Sequence, residues 1–253
     1  MTMIDLNHTS SFAEIVTGLI DAALVAEEAA SPRREYLGGS RLGVACERAL
    51  QFEYAGAPRD ADRGFGGKTL RIFAAGHLFE ALAIQWLRAA GFNLVTEKRD
   101  GGQFGFSVAK GRIRGHVDGI IAGGPLEVPM RYPALWECKS LNNKSWNDTV
   151  KRGVTLSKPV YAAQIATYQA YMETTAPGIS ANPALFVAIN KDTAELHFEL
   201  VPFDAGLAQR MTDRAVRVLQ ATEAHDLLPR ITRDPSHFEC RFCDWQDRCW
   251  RLG

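Results

Sequence analysis

The chain changes its hydrophobic period at Gly91. Before that glycine, TLRIFAAGHLFEALAIQWLRAA (69–90) repeats apolar residues at helical spacing, and Gly91 stands where a helix ends on a left-handed residue. After it, four segments alternate in the manner of strands: FNLVTE (92–97), QFGFSV (103–108), GRIRGHVDGII (111–121) and ALWECKS (134–140). Pro159 then opens a helix predicted to run to about Thr175. ALFVAIN and AELHFELVP, joined by KDT, read as two further strands, and residues 204–224 return to helical spacing. Helices interleaved with strands in this order predict an α/β fold, with helices packed against a mixed central sheet.

The flanks are simpler. SFAEIVTGLIDAALVAEEAA (11–30) reads as an acidic amphipathic helix capped by Ser10 or Ser11. A Pro-, Gly- and Arg-rich linker follows over 31–40, then a helix carrying Cys46 in RLGVACERALQFEY, then a loop over 56–68. These features divide one integrated unit into an N-terminal helical segment (1–68), a core (69–203) and a C-terminal helix with a cysteine tail (204–253). Twenty-nine basic residues balance 29 acidic ones, which excludes a globally basic binder but not a local basic groove. No run approaches the roughly 18 apolar residues of a membrane span. The start MTMIDLNHTSSFAEI has no secretory pattern, so the expectation is a cytoplasmic protein that does not engage membranes.

Strand alternation sorts the polar residues of the middle region. Glu137 and Lys139 are two apart and share a face with Leu135, whereas Trp136 and Cys138 point the other way. In the preceding strand Asp118 shares its face with His116 and Ile120. A charge on a buried sheet face is costly unless paired or bound to metal. Asp118 and Glu137 therefore suit a hard divalent cation such as Mg²⁺ or Mn²⁺, and Lys139 suits a water or a phosphate beside it. Taken singly, an Asp-Gly turn and a surface Glu–Lys pair would explain the same residues. On the long helix His77 and Glu80 lie three apart on one face, and either can add a ligand. Tyr161, Gln164 and Tyr168 form a stripe along the later helix, equally consistent with packing or with facing that site.

Five cysteines, three of them in FECRFCDWQDRCW (238–250), read as metal or cluster ligands rather than disulfides. Cys240, Cys243 and Cys249 need a fourth partner. Cys138 belongs to a predicted central strand, where it is expected to be buried as a small apolar group. Cys46 is carried by a separate helix free to pack on the tail, and His237 would complete a local Cys₃His zinc site.

Gly76-x-x-x-Glu80, Asp118, Glu137-x-Lys139 and Gln164-x-x-x-Tyr168, in that order, resemble the PD-(D/E)XK nuclease superfamily and its RecB-like exonuclease branch. Within that branch the pattern C…C-x2-C-x5-C resembles CRISPR-associated Cas exonucleases and AddB-type nucleases. The resemblance implies a restriction-endonuclease-like core. It implies Asp118 and Glu137 as metal ligands with Glu80 or His77 and the backbone carbonyl of Cys138. Lys139 then serves the attacking water, and Gln164 and Tyr168 support the site and the DNA. It also implies a [4Fe–4S] cluster on Cys46, Cys240, Cys243 and Cys249, joining the two ends of the chain around the core.

The expected activity is metal-dependent exonucleolytic hydrolysis of DNA ends or single strands, in recombination, repair or phage DNA processing. Alternatives are a spacer-processing nuclease of a CRISPR system, or a non-catalytic iron–sulfur or zinc protein that binds nucleic acid. Protein partners in a recombination or CRISPR complex accompany these roles. Lys144, Lys151 and Arg152 with Trp146, together with Arg114 and Tyr161, are the expected DNA contacts, since cations meet phosphates and aromatics stack on unpaired bases. A solvated loop with packing aromatics would produce the same composition.

Overall fold

A computed structural model describes residues 11–61, 63–99 and 101–252. Ser11 opens α1 (Phe12–Ala30) through a capping box with Glu14, while Ser10 lies outside the described residues. The 31–40 linker contains a short strand, β1 (Leu37–Gly38), and leads through a 3₁₀ turn at Gly39–Arg41. Cys46 is not inside a helix but is the residue on which α2 (Glu47–Ala55) begins. The long helix, α3 (Gly67–Ala89), ends with Gly91 at φ 91°, the left-handed geometry expected of a glycine there.

The strands form two sheets. β2 (Asn93–Val95), β5 (Gly119–Gly123), β6 (Ala134–Leu141), β7 (Ala184–Asn190) and β8 (Leu196–Val201) make a five-stranded sheet in that spatial order. β1, β4 (Ile113–His116) and β3 (Gly105–Val108) make a three-stranded one, with β4 in the middle. The segment 111–121, expected as one strand, is thus two. The chain leaves one sheet after His116 and joins the other at Gly119, so Asp118 stands in the break between them. Its alternation continues through the break because Val117 is buried on the same side as the core, which hid the change of sheet.

β6 pairs parallel with β7 and antiparallel with β5. A parallel pair needs a long crossover, and here it consists of α4 (Asn143–Ser157) and α5 (Pro159–Met172). The first of these helices occupies a stretch to which neither a helical nor a strand period assigned an element. Asn142 caps it by accepting from the Ser145 N–H at 2.8 Å. Gly153, at φ 74°, then kinks it, and Glu199 on β8 accepts from the Val154 N–H at 2.8 Å to restart it. Polar composition and a mid-helix glycine obscured the period. α6 (Ala205–Glu223) opens on Asp204 and packs on α2 and α5, and two short helices, α7 (Phe238–Arg241) and α8 (Gln246–Arg251), carry the tail.

Alternation along β6 divides the core in two. Leu135 and Leu141 join Phe186, Ala188 and α5 on one face; Trp136 and Cys138 join Leu185, Val187, Ile189 and α3 on the other. β7 is buried along its whole length, as expected for a strand covered on both faces. α5 is buried nearly all round, wedged between the two sheets and α6.

Gly39 and Gly115 open a slot for two rings of this wedge. Phe106 and Tyr168 meet edge to face at 5.4 Å, and a Cβ on Gly115 would lie 2.5 Å from Phe106 Cε1 and 2.8 Å from Tyr168 Cε1. Phe106 cannot easily retreat, because Tyr171 stacks on it at 4.7 Å. Gly115→Ala is therefore expected to destabilise the fold by about 1–3 kcal/mol through overpacking, read as a lower urea midpoint with an unchanged slope. A variant as stable as the parent would show that the slot relaxes.

Candidate active site

The site forms where β6, the β4–β5 break, α3 and α5 converge. Glu137 is fully buried on β6. One of its oxygens, Oε1, accepts from Gln164 Nε2 on α5 at 2.6 Å and also pairs with Lys139 Nζ. The other, Oε2, is buried and, among the described residues, has no hydrogen-bond partner. Asp118 is held at the break by the Cys138 N–H, which donates to Oδ2 at 2.9 Å. Asp118 thus reaches across to β6 by a backbone bond, not by strand alternation alone.

Burial is the main force on the ionisation of these groups. It raises Glu137 well above the ordinary carboxylate range, and the negative charge of Asp118 adds to the rise, bringing it to about 8 despite Lys139. Burial also raises Glu80, with Asp118 again contributing. For Lys139 burial acts downward, but Glu137 and Asp118 more than offset it, so the ammonium is held more firmly than in water. Tyr161 supports this cation, its ring centroid 5.5 Å from Nζ.

α3 presents its two candidates differently. The Glu80 side chain is 28% exposed and feels Asp118, whereas His77 is 83% exposed and only 3.9 Å from Glu80. Glu80 faces the carboxylates and His77 faces solvent. Gly76 lets this turn of α3 approach Ser140 of β6, with 3.4 Å between the position of a Cβ and Ser140 Oγ. Tyr168 does not reach the carboxylates directly. It is buried, and its hydroxyl bonds Ser40 in the 3₁₀ turn, linking the N-terminal segment to the site. Burial and the Glu137 charge raise its pKa. Ser40 carried no signal in the sequence beyond its place in a glycine-rich linker.

The expected DNA contacts separate. Lys144, Lys151 and Arg152 project from α4 into solvent, although Arg152 is committed to Asp148 at 3.2 Å and to the Leu156 carbonyl at 2.9 Å. Trp146 is half-buried against the core and donates from Nε1 to the Ala188 carbonyl at 3.1 Å, a packing role. Arg114 is exposed and lies over the Tyr36 ring, which also carries Arg34.

The cysteines fall in two places. Cys138 is buried on β6, on the face opposite Glu137, and burial raises its thiol strongly. Cys46, Cys240, Cys243 and Cys249 line one cavity between the start of α2 and the tail. Burial raises the Cys243 thiol to about 11, with Cys46 and Cys249 contributing, and Cys240 rises for the same reasons. Arg48 Nη1 lies 3.8 Å from Cys249 Sγ. His237 caps α7 instead, its Nδ1 accepting from the Glu239 N–H at 3.3 Å. Among the described residues, no group of three or more Cys, His, Asp or Glu side chains is arranged as it stands to hold a metal ion.

No protein-family model matches the chain, and no curated protein sequence does. Solved structures do. The crystal structure of an alkaline exonuclease, LHK-Exo from Laribacter hongkongensis, is similar over 90% of this chain and 100% of its own, with a TM-score of 0.50 and 15% identity. The crystal structure of SSO0001 is similar over 94% and 98%, with a TM-score of 0.50 and 17% identity. The chain shares the fold of these structures. In it, a mixed sheet flanked by helices carries the acidic group on its central strand. None of the described helices is long and apolar enough to cross a membrane.

The orphaned Glu137 Oε2 beside Asp118 fits a divalent cation. Two carboxylates suffice for Mg²⁺, which keeps waters and takes substrate phosphate as its remaining ligands. The sign of the pH dependence follows. Below about pH 8 Glu137 holds a proton that a cation must displace, and above it the carboxylate is already free. Mn²⁺ affinity, measured by calorimetry in two buffers of different ionisation heat, is expected to rise by about tenfold per pH unit up to that point and then level, with a proton released on binding below it. Affinity flat from pH 6 to 9 would remove Glu137 from the cation site.

Proposed function

We propose that this chain is a metal-dependent deoxyribonuclease that hydrolyses DNA from ends or in single strands. The observation that carries this reading is the state of Glu137: fully buried, bonded through one oxygen to Lys139 and Gln164, and bare at the other beside Asp118. A buried carboxylate is expensive unless something compensates it, and a divalent cation with a phosphate is the compensation that the nuclease fold makes relevant. Asp118 and Glu137 are the residues that would hold the cation, with Glu80 turned toward them from α3 and able to join by moving closer; His77 points away from them. The Cys138 carbonyl is a further ligand by family resemblance. A cation there supplies Lewis-acid polarisation of the phosphate and a more acidic water.

The chain's own groups do the rest. Lys139 stays protonated, so it acts as a donor to the attacking water or to a phosphate oxygen rather than as a general base. Gln164 fixes which Glu137 oxygen serves Lys139 and leaves the other for the cation. Tyr168 keeps α5 against the 3₁₀ turn and so holds Gln164 in place. Lys144 and Lys151 on α4, with Arg114, offer exposed charge to the DNA backbone.

Replacing Lys139 or Glu137 by Ala is expected to reduce Mn²⁺-dependent degradation of 5′- and 3′-labelled single and double strands by about 10²-fold or more, with the circular dichroism of the fold retained. Parental activity in both variants would defeat the reading.

The [4Fe–4S] centre belongs to this proposal. Four thiols lining one cavity, with Cys138 elsewhere and His237 committed to a cap, support a four-thiolate site that closes the N-terminal segment on the tail. Such a centre contributes to folding because ligand binding is linked to it. Anaerobically purified protein is expected to be brown and to contain iron and acid-labile sulfide in equal amounts, both lost in Cys46→Ala. Colourless protein holding stoichiometric zinc would overturn the cluster.

A further inference from the structure

Residues of α3 that the site does not use lead away from it in a line. Phe73, His77 and Glu80 are spaced four and three apart, so they share one helical face, and Phe73 precedes Glu80 by about 10 Å along the axis. Glu80 faces the carboxylates, whereas the His77 side chain is 83% exposed. Phe73 is 46% exposed; other large apolar residues of α3, such as Leu78 and Trp86, are exposed too, and what sets Phe73 apart is its neighbour.

Phe73 is also not loose. Phe65, itself 36% exposed, meets it edge to face, with centroids 5.1 Å apart and ring planes at 82°. Arg59 lies over the Phe65 ring, 4.8 Å from its centroid, and Asp244 fixes that guanidinium at 3.0 Å. The loop carrying Arg59 and Phe65 is tied to the tail. Asp60 accepts from the Asp247 and Arg248 N–H groups at 2.6 and 3.0 Å, Trp245 Nε1 donates to the Ala57 carbonyl at 2.9 Å, and Arg63 donates to the Arg241 carbonyl at 2.9 Å. A solvent-facing ring is thus held in one orientation by a second ring and a cation, two helical turns from the carboxylates.

We propose that Phe73, walled by Phe65 and Arg59, is a stacking platform for an unpaired base of the strand entering the active site, with His77 lying along the path between them. The proposal rests on the nuclease reading for the direction of the strand. The chemistry selects single-stranded nucleic acid: an exposed ring takes any base by its π face, while the Arg59 guanidinium, paired with Asp244, props the Phe65 wall. A paired duplex offers no free base face there.

The test is binding without cleavage. Fluorescence anisotropy of a labelled oligothymidine, in chelator so that nothing is hydrolysed, is compared with the same strand carrying abasic sites. The parent is expected to prefer the intact strand, and Phe73→Ala to lose about tenfold in affinity for it together with that preference. Phe73→Leu keeps an apolar contact for Phe65 and is expected to fold as the parent does while binding like the Ala variant; Phe73→Trp is expected to restore binding. Equal affinity of parent and Phe73→Leu for the intact strand, no preference of the parent for intact over abasic strands, or no single-strand binding at all, overturns the platform. The two proposals fail separately. Phe73-dependent binding with no Mn²⁺-dependent cleavage sinks the nuclease and keeps the platform, and cleavage by a chain whose binding ignores Phe73 does the reverse.

Discussion

A carboxylate with no access to water sits on the central strand of the five-stranded sheet, and its surroundings are arranged around that cost. Glu137 would lose several kcal/mol if ionised alone in such a position. The chain answers with a cation on the same strand, an amide from α5 and a second acid at the sheet junction that makes full ionisation harder still. This is an unfavourable arrangement for stability and a useful one for function. An apolar residue at 137 would pack well between Leu135 and Phe186, but it would leave nothing for a cation to satisfy.

The geometry that holds Glu137 in this state extends far from it. Asp118 is fixed by a β6 backbone N–H because the chain changes sheets at Val117–Asp118. Gln164 is fixed because α5 is wedged between both sheets, and Tyr168, one turn further, lies in a slot cut by Gly39 and Gly115. That slot depends on the N-terminal segment, which Arg214 of α6 fastens by donating to the Leu42 and Ala45 carbonyls at 2.9 and 2.7 Å. Position 137 is thus supported by contacts nearly a hundred residues away on the N-terminal side.

Much of this was legible from alternation and spacing. The strand 134–140, the separation of Glu137 and Lys139 from Cys138, and the helix opening at Pro159 follow from periods of 2 and 3.6 and from proline chemistry. The junction at Asp118 was not, because a strand that changes sheets without proline or bulge keeps its alternation. α4 was not, because Gly153 and a polar face broke its period, and what rebuilds it is a long-range bond from Glu199. The choice between His77 and Glu80 was not, because both lie on one face and a rotation of a few tens of degrees about α3 decides which turns inward. Trp146 looked like a nucleic-acid contact by composition, yet its indole N–H is spent on Ala188. A tryptophan among lysines reads the same whether it packs or stacks.

The same distinction separates Phe73 from Trp146. Both are aromatics near basic residues, but Trp146 has a backbone acceptor and a core to fill, whereas Phe73 has a fixed neighbour and an open face. Leaving a ring exposed forfeits roughly 1.5–3 kcal/mol of burial. Anchoring it from the side with Phe65 lowers the entropy that a stacking partner must overcome, so the forfeited burial is recovered when a base arrives. The loop that supplies Phe65 is bonded to the cysteine-bearing tail through Asp60 and Arg63. The tail thus holds the Phe65 loop, while the N-terminal segment, through Gly39 and the Arg214 bonds, also supports the helix that carries Gln164.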